Sequence, residues 1–146
     1  MKKSLIILGI ITLGMLITFS SCKKETTVSV KNECNFELYG VFIMGYTDAG
    51  DKISQLNMAD ELKSNTKTST QMIDNRCSKA KIGLRLQKSG KLYYTVQYFM
   101  LDIGKDNVIT INGKTLISTD LDKSKSETDL GVSITEVVVE KQTDEN

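Results

Sequence analysis

Three cysteines, five tyrosines and a scatter of carboxylates are the groups in this 146-residue chain that could do chemistry, and the chain has no histidine. Without an imidazole, neither a Ser-His-Asp nor a Cys-His relay can be assembled, and the commonest transition-metal ligand is missing. Cys34 and Cys77 have no imidazolium to lower a thiol pKa, so catalytic thiolate chemistry is disfavoured, as is a two-cysteine metal site. With Cys22 set apart by its position, the other two form an even pair. In an oxidising compartment an even pair predicts a Cys34–Cys77 disulfide. A bridge over a loop of that length would stabilise by roughly 4 kcal/mol in the chain-entropy picture. Two buried free thiols are the alternative.

Asp120, Asp122, Ser124 and Glu127 make an oxygen-rich run, but the sixth position of an EF-hand loop needs Gly and here it is Lys125. A solvated charged loop is the simpler account, and Asp48 with Asp51 in one turn is read the same way. No metal and no cofactor are expected. Tyr93, Tyr94 and Tyr98, with Tyr39 and Tyr46, could form a ligand-facing patch, since tyrosine joins a flat apolar body to a hydroxyl. Tyr93 and Tyr94 point to opposite faces of any strand, so only one can join a given surface; ordinary packing competes with the ligand reading. The sequence contains neither a Gly-rich phosphate loop nor a Gly-x-Ser-x-Gly elbow. A non-enzymatic protein is the expectation.

At the amino terminus, Lys2 and Lys3 precede an uncharged run from Leu5 to Phe19. About 15 residues span roughly 22 Å as a helix, short of the ~20 residues that a membrane crossing needs. The run suits the h-region of an export signal, and Ser20 and Ser21 are the small residues that a cleavage site requires. Phe19-Ser20-Ser21-Cys22 resembles the lipobox of bacterial lipoproteins, with Phe19 where that family prefers Leu. The wider Ser-Ser-Cys-Lys-Lys-Glu stretch is similar to lipoproteins of Bacteroidetes-type bacteria. The resemblance implies diacylglycerol on the Cys22 sulfur, removal of residues 1–21, acylation of the new amino terminus, and a place in the cell envelope, with the outer membrane ahead of the inner. Two or more acyl chains anchor a protein stably where one does not.

The full chain carries 19 basic and 18 acidic residues. Loss of Lys2 and Lys3 with the signal leaves 17 against 18, a balance that argues against a nucleic-acid partner. What remains is enough for one domain with a real core. Residues 1–21 are thus read as signal peptide, 22–26 as a lipid-attached tether, 27–140 as a β-sandwich and 141–146 as a flexible tail.

The elements that must position any site are strands. Val28 and Val30 alternate with polar neighbours. Phe36 to Thr47 is the most apolar stretch outside the signal; its continuous run Val41–Met44 reads as a strand covered on both faces, or as one with a bulge near Gly40. Ile53 to Lys63 is the one segment where a helical turn or two, capped by Asn57, is expected. Thr68 to Ile73 reads as a short edge strand. Ala80, Ile82, Leu84 and Leu86 alternate with Lys79, Lys81, Arg85 and Gln87, followed across Lys88-Ser89-Gly90 by a continuous strand from Leu92 to Met100, an antiparallel hairpin. Asn112-Gly113 between Val108–Ile111 and Lys114–Ile117 predicts a second hairpin on a type I′ turn. Thr119 to Thr128 is a charged loop, and Val132 to Val139 a last strand.

Seven or eight strands in short steps predict an all-β protein, a single antiparallel β-sandwich, with a small closed barrel as the other possibility. The order of pieces is similar to small exported β-sandwich domains of lipoproteins. The functional expectation is a membrane-anchored protein that binds an envelope protein or glycan; an inhibitor or immunity protein against a hydrolase or toxin is the alternative.

Overall fold

The computed structural model describes residues 23–121 and the backbone of Thr128 and Asp129. Among the described residues it is an all-β sandwich of ten strands in two sheets, with no helix. The strands are β1 (Thr26–Asn32), β2 (Leu38–Tyr46), β3 (Lys52–Leu62), β4 (Gln71–Ile73), β5 (Lys79–Arg85), β6 (Leu92–Thr95), β7 (Phe99–Met100), β8 (Asp106–Ile111), β9 (Leu116–Ser118) and β10 (Thr128–Asp129). The smaller sheet has the order β4-β1-β8. The larger runs β10-β9-β6-β5-β2-β3, with β7 pairing on β5. All pairings are antiparallel except β1 with β8, which is parallel.

The core lies between the sheets. Val28 and Val30 of β1 and Ile109 and Ile111 of β8 face Leu38, Val41 and Ile43 of β2, Ala80, Ile82 and Leu84 of β5 and Ile117 of β9. A one-residue slip of β5 would turn Ala80, Ile82 and Leu84 outward together, so burial on one face fixes the register. Lys81 points to the other face yet is only 9% exposed. Its ammonium donates to the Leu121 carbonyl at 3.1 Å, which compensates the charge with a local acceptor.

Three sequence expectations fail here. Of the segment Ile53–Lys63, all but Lys63 lies in the 11-residue strand β3, with no helical turn. Its register against β2 steps from Val41–Ala59 to Phe42–Asn57, passing over Met58. That bulge breaks the two-residue alternation, so Ile53, Leu56, Ala59 and Leu62, which all pack on the core, fall three residues apart, a spacing that mimics a helix face. The run Leu92–Met100 is not continuous. It bends at Val96 and Gln97, where the Thr95 hydroxyl accepts the Ile82 N–H at 3.0 Å and Val96 N–H donates to the Leu116 carbonyl at 2.9 Å. A side chain thus takes over a ladder bond while the strand passes from β5 towards β9.

Asn112-Gly113 does not close a hairpin. β8 pairs with β1, β9 pairs with β6 and β10, and the turn between them carries the chain from one sheet to the other. Neither residue has positive φ, as a type I′ turn would require. Instead Thr115 N–H donates to the Asn112 carbonyl at 3.0 Å and Lys114 N–H to Asn112 Oδ1 at 2.9 Å. The expected signal peptide (residues 1–21), Cys22, residues 122–127 and the strand expected at Val132–Val139 lie outside the described residues.

The strands define two poles. Loops 47–51, 74–78 and 101–105 gather with residues 23–25 at the start of β1. Thr26 N–H donates to Asn75 Oδ1 at 2.8 Å, Gly104 N–H to Thr26 Oγ1 at 2.8 Å, and Leu101 N–H to the Ser78 carbonyl at 2.9 Å. Loops 33–37, 63–70, 86–91 and 112–115 gather at the other end. There the fully buried Asn32 side chain donates to the Phe36 and Leu62 carbonyls and accepts Cys34 N–H.

Candidate functional site

At the pole away from the start of β1, a groove of about 370 Å³ is lined by Tyr39, Gly40, Asp60, Glu61, Arg85 and Lys88. Its floor is a cross-strand row. Tyr39 of β2 stands opposite Glu61 of β3 on one side and Arg85 of β5 on the other. Cross-strand neighbours on one face lie about 5 Å apart, so an acid, a phenol and a guanidinium are set side by side. Gly40 makes the row possible. Its φ of +52° is the left-handed conformation that glycine adopts without strain, and it sits at the β2 irregularity between Tyr39 and Phe42. A β-carbon there would rest 3.7 Å from Arg85 Nε, so the guanidinium stem covers the glycine.

The polar groups are partly tied down. Arg85 Nη1 donates to the Gly90 carbonyl at 2.7 Å, which pins the β5–β6 turn against the groove. Tyr39 donates its hydroxyl to Glu37 Oε2 at 2.8 Å. That hydrogen bond, helped by desolvation and the Glu37 and Glu61 charges, raises the phenol pKa above its ordinary value. Lys88 Nζ lies 3.9 Å from Glu61 Oε2, with Lys88 mostly exposed; a long exposed pair of this kind adds little stability and leaves both groups available to a ligand. Two acids, two bases and an aromatic ring give the groove donors and acceptors of both signs. Its chemistry is that of polar recognition.

The residues singled out from sequence are dispersed. Cys34 and Cys77 are both buried free thiols, which corrects the expected disulfide. Cys34 follows the end of β1, where its sulfur contacts the Ile111 carbonyl at 3.9 Å. Cys77 packs beside Gly45 at the opposite pole, two residues from the Asn75 that bonds the start of β1. The seven-residue β1 between those ends is about 20 Å long, far beyond the Cα separation of about 7 Å that a disulfide tolerates. Burial raises the Cys34 pKa from 9.0 to about 11. Cys77 is raised too, by burial first and then by Asp74, against an opposing effect of Arg76.

Tyr93, Tyr94 and Tyr98 do not share one surface. Tyr93 pairs with Leu84 and packs against the core. Tyr94 pairs with Gly83 on the other face and meets Phe42 edge-on, with ring centroids 6.4 Å apart. Tyr98, 41% exposed, lies beyond the bend. It packs edge-on to Tyr46 at 5.2 Å, with the ammonium groups of Lys79 and Lys81 at 4.9 and 4.8 Å from its ring centre. Asp48 and Asp51 occupy the β2–β3 turn, closed by Asp51 N–H donating to Thr47 Oγ1. Among the described residues no three His, Cys, Asp or Glu side chains converge as a metal site would need.

Sequence reasoning missed the groove. Tyr39, Glu61 and Arg85 are remote in sequence and meet only through register, and the one local signal was Gly40. No known protein family, curated protein or solved structure matches the chain.

Proposed function

We propose that this chain is a lipid-anchored cell-envelope protein, held by Cys22, that binds an envelope protein or glycan through the groove of Tyr39, Glu61, Arg85 and Lys88. The observation that supports this reading is the placement of the groove. The tether enters at Thr26, while Tyr39, Glu61 and Arg85 belong to the opposite pole, a strand length of about 20 Å away. An anchored protein reaches a partner with the end that faces away from its membrane, and anchoring raises local concentration without any new contact. A concave site with charges of both signs favours a ligand that enters it. This places polar recognition ahead of the flat inhibitory patch of the alternative, an inhibitor of a hydrolase or toxin.

A photo-crosslinking amino acid placed at Lys88 in the intact chain, in native envelopes, is expected to give discrete adducts. The same probe at Thr27 is expected to give none, and adding Arg85→Ala should reduce the Lys88 adducts at least tenfold. Equal adducts from both positions, or adducts indifferent to Arg85, overturn the groove as the binding site. Intact mass of the purified protein reports acyl chains on Cys22, and Cys22→Ala is expected to move the protein into the soluble fraction.

A further inference from the structure

Two of the most exposed apolar side chains in the described fold sit where the tether enters. Met100 is 71% exposed and Ile103 56%. Met100 stands across from Lys79 in the β5–β7 pair. Ile103 lies in the turn closed by Lys105 N–H donating to the Asp102 carbonyl at 3.3 Å. The next residue, Gly104, bonds Thr26, and a β-carbon on it would stand 3.4 Å from the Lys24 carbonyl oxygen. The turn that carries Ile103 therefore packs against the tether itself.

Chain length determines what this pole meets. From Cys22 to Thr26 is four residues, an extended reach of about 14 Å. A lipid on Cys22 would hold the pole closer to the bilayer than the domain is long. We propose that this pole rests on the bilayer surface, with Met100 and Ile103 dipping into the boundary between headgroups and acyl chains. The proposal rests on the lipid-anchor reading and adds an orientation to it: the domain stands on its tether pole with the groove held outward.

Apolar contact drives this docking. Asp48, Asp51, Asp74 and Asp102 outnumber Arg76 and Lys105 in the three loops of the pole, and Lys23 and Lys24 beside Glu25 in the entering segment nearly offset the difference, so the surface offers no net attraction to anionic headgroups. Contact should then depend on apolar burial and be insensitive to salt.

The chain has no tryptophan, so Ile103→Trp, Met100→Trp and, at the groove pole, Lys114→Trp each introduce a single emitter. The full lipidated protein carrying each is reconstituted into phosphatidylcholine vesicles with brominated acyl chains, and Cys22 acylation is verified by intact mass. Emission from Ile103→Trp and Met100→Trp is expected to shift to the blue and to fall at least about twofold, while Lys114→Trp is unchanged. With phosphatidylglycerol mixed into the same vesicles, raising salt from about 0.05 to about 0.5 M should leave the quenching unaltered. Unquenched emission at both pole positions, with lipid present on Cys22, overturns the docking and leaves the anchor standing. Purified protein without lipid on Cys22 overturns both.

Discussion

The ring of Phe42 fills the space in which a side chain at Gly83 would stand. The two residues face each other across β2 and β5, and a β-carbon on Gly83 would overlap the Phe42 ring. Tyr94, on the other side of Gly83, closes over the ring edge-on at 84°. Glycine leaves a gap in a strand face, and here a neighbouring aromatic occupies it. Gly83→Ala should therefore displace the ring and lower stability by about 1–3 kcal/mol. In a Phe42→Leu background the same change should cost less, because the clash is relieved. Denaturant unfolding of the two single variants and the double variant checks this; strictly additive losses would contradict it.

How much of this was legible in the sequence depends on whether the signal was local. Ala80, Ile82 and Leu84 alternate in sequence as they do in the fold, because β5 has strands on both sides and a regular pleat. Gly40 announced an irregularity that the register confirms. Ile53–Leu62 misled because a bulge at Met58 imposes a three-residue step on a strand. Asn112-Gly113 misled because the alternation on either side says which face is buried and nothing about which partner is chosen. β8 finds β1 in parallel, far back in the chain, and a local hairpin rule cannot see that. The row Glu61–Tyr39–Arg85 was invisible for the same reason.

The two thiols give a direct chemical test. Because Cys34 and Cys77 are free and buried, a thiol reagent should leave both unlabelled in the folded protein and label both after unfolding without reductant. Mass spectrometry reads the difference. A disulfide would block labelling until reduction.

Burial of Cys34 also ties stability to alkaline pH. Its folded pKa lies at about 11, above the ordinary 9.0, so the unfolded chain loses its proton first as pH rises. The contribution is complete below pH 9 and is lost as pH climbs through about 11. Cys34→Ala should flatten the fall in melting temperature over that window. An unchanged slope would show that other groups govern it.

Asn32 joins the end of β1 to both loops beside it. Its amide donates to the Phe36 and Leu62 carbonyls at 2.9 and 3.1 Å, and its oxygen accepts Cys34 N–H at 2.9 Å, with the side chain wholly out of solvent. Asn32→Ala would strand buried donors and acceptors together, at a cost on the order of 3 kcal/mol. Thermal unfolding checks the magnitude, and amide exchange at Cys34 checks the location. A loss below about 1 kcal/mol would mean that water replaces the lost partners.

Tyr39 offers an optical reading of the groove. Its hydroxyl donates to Glu37, and the phenol is held above its ordinary pKa chiefly by that bond. Replacing the carboxylate by an amide removes both the charge-assisted acceptor and a repulsive negative charge. Glu37→Gln should therefore move the Tyr39 ionisation to lower pH, visible as phenolate absorbance appearing earlier in an alkaline titration; Tyr39→Phe identifies that component by removing it. Arg85→Ala should leave this ionisation where it is, because the shift comes from Glu37, burial and Glu61 and not from Arg85. A Tyr39 titration that follows Arg85 and ignores Glu37 would show that the guanidinium, and not the carboxylate, sets the charge state of the groove.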